Sequence, residues 1–159
     1  MSELVKAIEG KSTLSIGFIK PDEFGALCEY LESPECSLTK LEVFGDIYAL
    51  AESLKTNCTI RELKLYGNNG NAGCIALAES LKTNNTLREL YLGYNNIGVD
   101  GANALAESLK INKTLIYLGL GGNNIGDVGA IALAESLKTN HTLRILDLYR
   151  SNMGCTGCI

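Results

Sequence analysis

Four features of this 159-residue sequence have residue types and spacings that could do chemistry. Gly121 and Gly126 stand at the G-x-x-x-x-G spacing of a phosphate loop, in which backbone N–H groups cradle phosphates and a following Lys binds them. Asp127 stands where that Lys is required and Val128 where Ser or Thr is required. Read instead from Gly119 and Gly121 as a dinucleotide fingerprint, the run fails at Asn124, which occupies the third glycine. Cys155-Thr156-Gly157-Cys158 is a lone C-x-x-C, which offers two ligands where structural zinc takes four. A redox pair would need a strand-to-helix setting in a partner fold that is missing here, and Cys158 is next to last, which excludes a prenylation box. His141 is the single histidine. No Ser or Cys has a visible base, and no carboxylate pair stands apart from a repeating Glu column. The expectation is therefore a chain that is not an enzyme and has no metal and no cofactor. Finally, Asn57, Asn84, Asn112 and Asn140 each open an Asn-x-Thr, a glycosylation acceptor in an exported chain.

Composition narrows the remaining classes. The chain is 46% hydrophobic and 20% charged, an ordinary globular balance. A net charge of −4 leaves no cationic excess for phosphates, so a nucleic-acid partner is not expected. No apolar run approaches the roughly 18 residues of a membrane helix. The start, MSELVKAIEG, lacks the apolar core of a signal peptide. The expected address is the cytoplasm, with the six cysteines as thiols and the Asn-x-Thr triplets serving structure.

The elements that must position these residues come from internal repetition. ALAESLKTN occurs at 49–57, 76–84 and 132–140, with one change at 104–112. Each copy is followed by a Thr and a phrase L-x-x-L-x-L-x-x-N: Ile60, Leu63, Leu65, Asn68; Leu87, Leu90, Leu92, Asn95; Leu115, Leu118, Leu120, Asn123; and Leu143, Leu146, Leu148, with Ser151 in place of the last Asn. The steps between phrases are 27, 28 and 28 residues. Leucines two apart share one face of a short strand. In the helical string, Leu133, Ala134 and Leu137 should face inward and Glu135, Ser136 and Lys138 outward. Asn68, Asn95 and Asn123 should form a ladder that bonds neighbouring turns. The Asn that closes each helical string should end the helix, since Asn tolerates the left-handed conformation. Gly98, Gly101, Gly126 and Gly129 suit a tight turn into the helix.

These phrases resemble leucine-rich repeats, and a 28-residue period with a full helix resembles the ribonuclease-inhibitor-like subfamily. The resemblance implies an α/β solenoid: a right-handed horseshoe with about six parallel strands on the concave face and helices on the convex face. It also implies a protein ligand held on the concave face or its rims. The organisation expected is a single leucine-rich-repeat domain over 1–159. It comprises a divergent cap and first repeat at 1–36, a shortened repeat at 37–58, regular repeats at 59–85, 86–113 and 114–141, and an incomplete last repeat at 142–159. Towards the start, Leu38, Leu41 and Val43 form another strand phrase, and Leu14, Ile16 and Phe18 a further one. Residues 1–12 read as a helical half-repeat covering that edge. In the shorter turn at 67–74 the inward Ile is missing, and local looseness is expected. The other edge has no such cover. It should expose apolar atoms and strand groups, met by a homodimer through that edge or by fraying beyond Gly154.

The helical string is nearly invariant from repeat to repeat, whereas outward strand positions differ. These are Lys40, Glu42 and Phe44; Arg61, Glu62, Lys64 and Tyr66; Arg88, Glu89, Tyr91 and Tyr94; Tyr117 and Gly119; and Ile145, Asp147, Tyr149 and Arg150. Five of the seven tyrosines fall in this set. Tyr and Arg combine apolar area with a polar end and are enriched in binding hot spots. Drift of outward positions towards good strand formers is the competing account. The function expected is a non-catalytic protein–protein interaction module with a tyrosine- and charge-lined concave surface. The alternatives are a small-GTPase regulator resembling the Ran GTPase-activating protein, or a repeat fragment with no partner of its own.

Overall fold

Each L-x-L phrase forms a short strand that buries its leucines on one side and turns the residue between them to the other. The computed structural model describes residues 3–17, 19, 21–45, 47–67 and 69–154. In chain order the elements are α1 Glu3–Ile8, β1 Thr13–Ile16, α2 Pro21–Glu32, β2 Lys40–Phe44, α3 Ile47–Thr56, β3 Glu62–Tyr66, α4 Gly70–Leu81, β4 Glu89–Tyr91, α5 Val99–Ile111, β5 Tyr117–Gly119, α6 Gly126–Leu137 and β6 Ile145–Asp147. The strands form one parallel sheet in the order β1-β2-β3-β4-β5-β6. In register, Leu41, Leu63, Leu90, Leu118 and Leu146 make one column running across the sheet. Every connection between strands passes through a helix, as parallel pairing requires. Strands repeat at roughly 4.8 Å and packed helices at roughly 8–10 Å. A stack built from both must bend with its strands on the inside, which makes the sheet the concave face of a leucine-rich-repeat solenoid.

The core lies between sheet and helices as one continuous column of leucines, with Leu63, Leu90, Leu118, Leu77, Leu105 and Leu133 fully buried. At the start, Val5 and Ile8 of α1 are buried against it. At the other end Leu143, Leu146 and Leu148 are only half-buried, although Leu115, Leu118 and Leu120 in the same columns are fully buried. Phe18 of the first strand phrase and the Cys155–Cys158 pair lie outside the described residues, as does any chain beyond Gly154.

The backbone's polar groups are satisfied by two sets of asparagines, and three expectations need correction here. Asn95 donates to the Leu65 carbonyl at 2.8 Å, and Asn123 to those of Leu92 and Leu120 at 2.9 and 2.8 Å. Asn123 Oδ1 accepts from the N–H groups of Asn95 and Ile97. Asn68 lies outside the described residues. Its neighbour Asn69 accepts from Ile47 N–H and donates to Asn95 Oδ1, which links it to the ladder. Ser151 keeps part of the role by donating to the Leu120 carbonyl at 3.2 Å.

The first correction concerns Asn57, Asn84, Asn112 and Asn140, none of which has the left-handed backbone expected of a helix end. Asn112 is extended, with φ −63 and ψ 130. Its side chain does the work instead, donating to the Leu81 and Asn84 carbonyls and accepting from the N–H groups of Thr114 and Leu115. All four side chains are buried, which supports the structural reading of the Asn-x-Thr triplets. The second concerns Ser136, which is fully buried rather than outward. It donates to the Leu133 carbonyl at 2.6 Å, and a hydroxyl satisfied within its own helix can face the neighbouring helix. The third concerns Ala134 and Leu137, which are half-buried although Ala106 and Leu109, one repeat earlier, are buried. No later helix packs on them among the described residues.

Candidate functional site

The alternation that buries the leucines sets Glu42, Lys64, Tyr91, Gly119 and Asp147 side by side on the concave face. Two residues earlier along the strands, a second row holds Lys40, Glu62, Glu89, Tyr117 and Ile145. Arg61 and Arg88 are exposed at the strand entrances, where each N–H is held by the carbonyl of the preceding repeat. Tyr94, Tyr149 and Arg150 are exposed on the loops where the chain leaves the sheet. The structure thus gathers all twelve sequence-predicted residues on one face and its rims.

On the half of this face built by β2 and β3, Glu62 is neutralised within the chain. Lys40 lies 2.7 Å from Glu62, and Lys64 lies 3.3 Å from the same carboxylate. The hydrogen bond from Lys40 holds the Glu62 carboxyl below the usual carboxylate range, with Lys64 adding to the effect. Phe44 and Tyr66 stack beside this triad with centroids 4.8 Å apart.

The half built by β4 to β6 differs. The rings of Tyr91 and Tyr117 lie 4.5 Å apart, and Tyr91 donates a 2.8 Å hydrogen bond to Glu89. Burial raises the Tyr91 hydroxyl's pKa first, and the bond to Glu89 raises it further. Tyr117 is raised by burial and then by the charges of Asp147 and Glu89. No cation among the described residues comes within ion-pair distance of Glu89 or Asp147. A depression of about 250 Å³ opens here, walled by Tyr66, Tyr91, Tyr94, Tyr117 and Tyr149. Gly93, Gly119 and Gly121 floor it, and Asp147 closes one side.

Two glycines of the 119–122 run make room for rings. A Cβ on Gly119 would stand 3.0 Å from the Tyr117 ring, and one on Gly122 would stand 2.5 Å from the Tyr94 ring. Gly122 has φ +72, and the residues in the same column one repeat away, Tyr94 and Arg150, have φ 57 and 53. Sequence reasoning placed Gly119 among the outward strand positions but gave Gly93 and Gly121 no part in a binding site. The signal available was the coincidence of three glycines with a strand position whose neighbours are tyrosines.

A family model described as "Leucine Rich repeat" matches residues 83–106 and 112–134, two successive helix-and-strand units of this stack. The chain has a leucine-rich-repeat fold. A search of curated proteins finds no match. Among solved structures it is similar to "Leiomodin-1 Actin-Binding Site 2 (ABS2)" with a TM-score of 0.69 at 23% identity, over 82% of this leucine-rich-repeat chain and 81% of that one. Among the described residues no helix is long and apolar enough to cross a membrane, and no group of three or more His, Cys, Asp or Glu side chains could hold a metal ion.

Proposed function

We propose that this chain is a non-catalytic protein-interaction module that presents its concave strand face to a protein partner. We place it in the ribonuclease-inhibitor-like subfamily, on the 28-residue repeat, and in the cytoplasm. The contact residues are Arg61, Glu62, Lys64, Tyr66, Arg88, Glu89, Tyr91, Tyr94, Tyr117, Asp147, Tyr149 and Arg150. One observation carries the reading. Tyrosines from four consecutive strand units line one depression on the concave side, whereas the convex helices repeat a single string. Rigid aromatic area with hydroxyl ends is what binding hot spots are made of. The leiomodin neighbour is described as an actin-binding site, which supports a protein as the class of ligand. A second copy of the chain at the β6 edge is part of the same proposal.

The test is affinity for the partner recovered by the parent chain. Replacing Tyr91 and Tyr117 together by Ala should weaken binding by about 2 kcal/mol or more. The convex control, Glu107 and Lys110 replaced together by Ala, should leave affinity unchanged. Equal binding by the tyrosine variant and the parent would refute the concave-face reading.

A further inference from the structure

Deepening the concave-face reading, and resting on it, we propose that the depression at β4 to β6 is a receptor for a single arginine side chain of the protein partner, held against the tyrosine rings with Asp147 as its counter-ion. The charge distribution points to a cation. Glu62, at the other half of the face, is neutralised by Lys40 and Lys64 of the same chain. Asp147, which lines the depression, has no such partner among the described residues, and neither does Glu89, whose carboxylate accepts from the Tyr91 hydroxyl of the wall. Asp147 Oδ1 accepts only the Tyr149 N–H, at 2.9 Å, and leaves Oδ2 for a ligand. Burial does most to hold the Tyr117 hydroxyl protonated, and the charges of Asp147 and then Glu89 add to it.

The rings are suited to the same ligand. Aromatic faces attract cations within roughly 6 Å of the ring centroid. Two rings of this wall already do so within the chain: Lys64 Nζ lies 5.1 Å from the Tyr91 centroid, and the Arg150 guanidinium carbon 5.2 Å from that of Tyr149. Arginine is favoured over lysine because its planar, weakly hydrated guanidinium stacks on rings while donating to a carboxylate, whereas an ammonium gives up more hydration. Size suits a single side chain. At about 250 Å³ the depression is smaller than the roughly 300–1,000 Å³ typical of small-molecule sites, and it matches one long side chain.

Tyr94 supplies an independent observation. It has φ 57, a backbone region costly for a bulky residue, and its side chain is 68% exposed. Gly122 holds the same column in the next repeat without that cost. The left-handed backbone belongs to the column, since Gly122 and Arg150 share it; what sets Tyr94 apart is a mostly exposed ring that lies over Gly122 and lines the depression.

The experiment is an NMR titration of the labelled full chain at low salt with the tripeptide acetyl-Gly-Arg-Gly-amide, and with its citrulline counterpart, which has the same shape and no charge. The arginine peptide should give saturable shifts at the Gly119, Gly121 and Asp147 amides, with the citrulline peptide at least about tenfold weaker. Asp147→Asn keeps the oxygen that accepts the Tyr149 N–H, and should bring arginine down to the citrulline level. Tyr94→Gly, which suits the backbone, should weaken arginine binding while the fold is retained. Equal affinity for the two peptides at these amides would overturn the cation receptor while leaving the concave face as a contact surface. So would an absence of shifts there, or an Asp147→Asn variant that binds arginine like the parent. The concave reading itself is judged separately, by the natural partner and the Tyr91 and Tyr117 pair.

Discussion

Glu62 sits between Lys40 and Lys64, and its lowered pKa makes a pH-dependent contribution to stability. A carboxyl whose folded pKa lies below its ordinary value of 4.5 stabilises the fold above that value, and loses the contribution as pH falls through the folded pKa. Lys40 is largely exposed, so the effect is small, at most about 1 kcal/mol. Denaturant titrations of the parent and Glu62→Gln should differ by that amount at pH 7 and converge in the acid range below pH 4.5. A gap that persists at pH 2 would show that the ion pairs are not its source. At the same scale, Tyr94→Gly removes a mostly exposed ring from a left-handed backbone position. It should leave stability unchanged or raise it by about 1 kcal/mol. A clear loss in a urea titration would mean that the ring packs as a structural element.

The loop between each helix and the next strand is organised by one asparagine. Asn112 makes five hydrogen bonds from a buried side chain, four of them to backbone groups, tying the end of α4, the neighbouring loop and the start of its own strand. Asn112→Ala strands two carbonyls and two N–H groups away from water. Each unsatisfied buried group costs roughly 1–3 kcal/mol, partly recovered by relaxation, so a loss of about 3 kcal/mol is expected by urea denaturation. Asn112→Asp keeps the acceptors and loses the donor, and should fall between the two. A loss below about 1 kcal/mol for Asn112→Ala would show that water enters the loop. The ladder in the other loop is less uniform, since Asn69, Asn95, Asn123 and Ser151 occupy its successive rungs.

In a solenoid each unit is covered by its neighbours, so the ends decide how the molecule behaves in solution. At β6 no described residue pairs with the outer strand edge, and Ile145 is 54% exposed. Leu146 and Leu148 are half-buried beside it. An exposed strand edge flanked by apolar side chains promotes association. Light scattering at micromolar concentration should give the mass of two chains, and Ile145→Lys should return the mass of one. A parent chain of single mass, with residues 145–153 protected from amide exchange, would sink the dimer.

The sequence by itself determined the repeat, the parallel strand–helix order and the identity of the outward positions. Leucines two apart can share a face only in a strand, and one repeat cannot bury its own apolar side. Cys74, in the column of Ala102 and Ala130, is buried and Cys58, in the loop column of Asn85, Lys113 and His141, is exposed, as those columns imply. The burial of Ser136 was not legible in this way. Helical periodicity places it outward by polarity, but α6 packs on the preceding helix α5, and Ser136 is buried with its hydroxyl bonded within its own turn. The asparagines that close the helical strings were read by backbone preference, whereas their buried amides act across repeats, a distance that no local pattern encodes. The binding face was legible as a list of tyrosines and charges. Which carboxylates keep their own lysines and which lack them depends on the sheet register: it sets Glu62 between Lys40 and Glu89, and Asp147 beside Gly119. Only the stacking of one repeat on the next decides that.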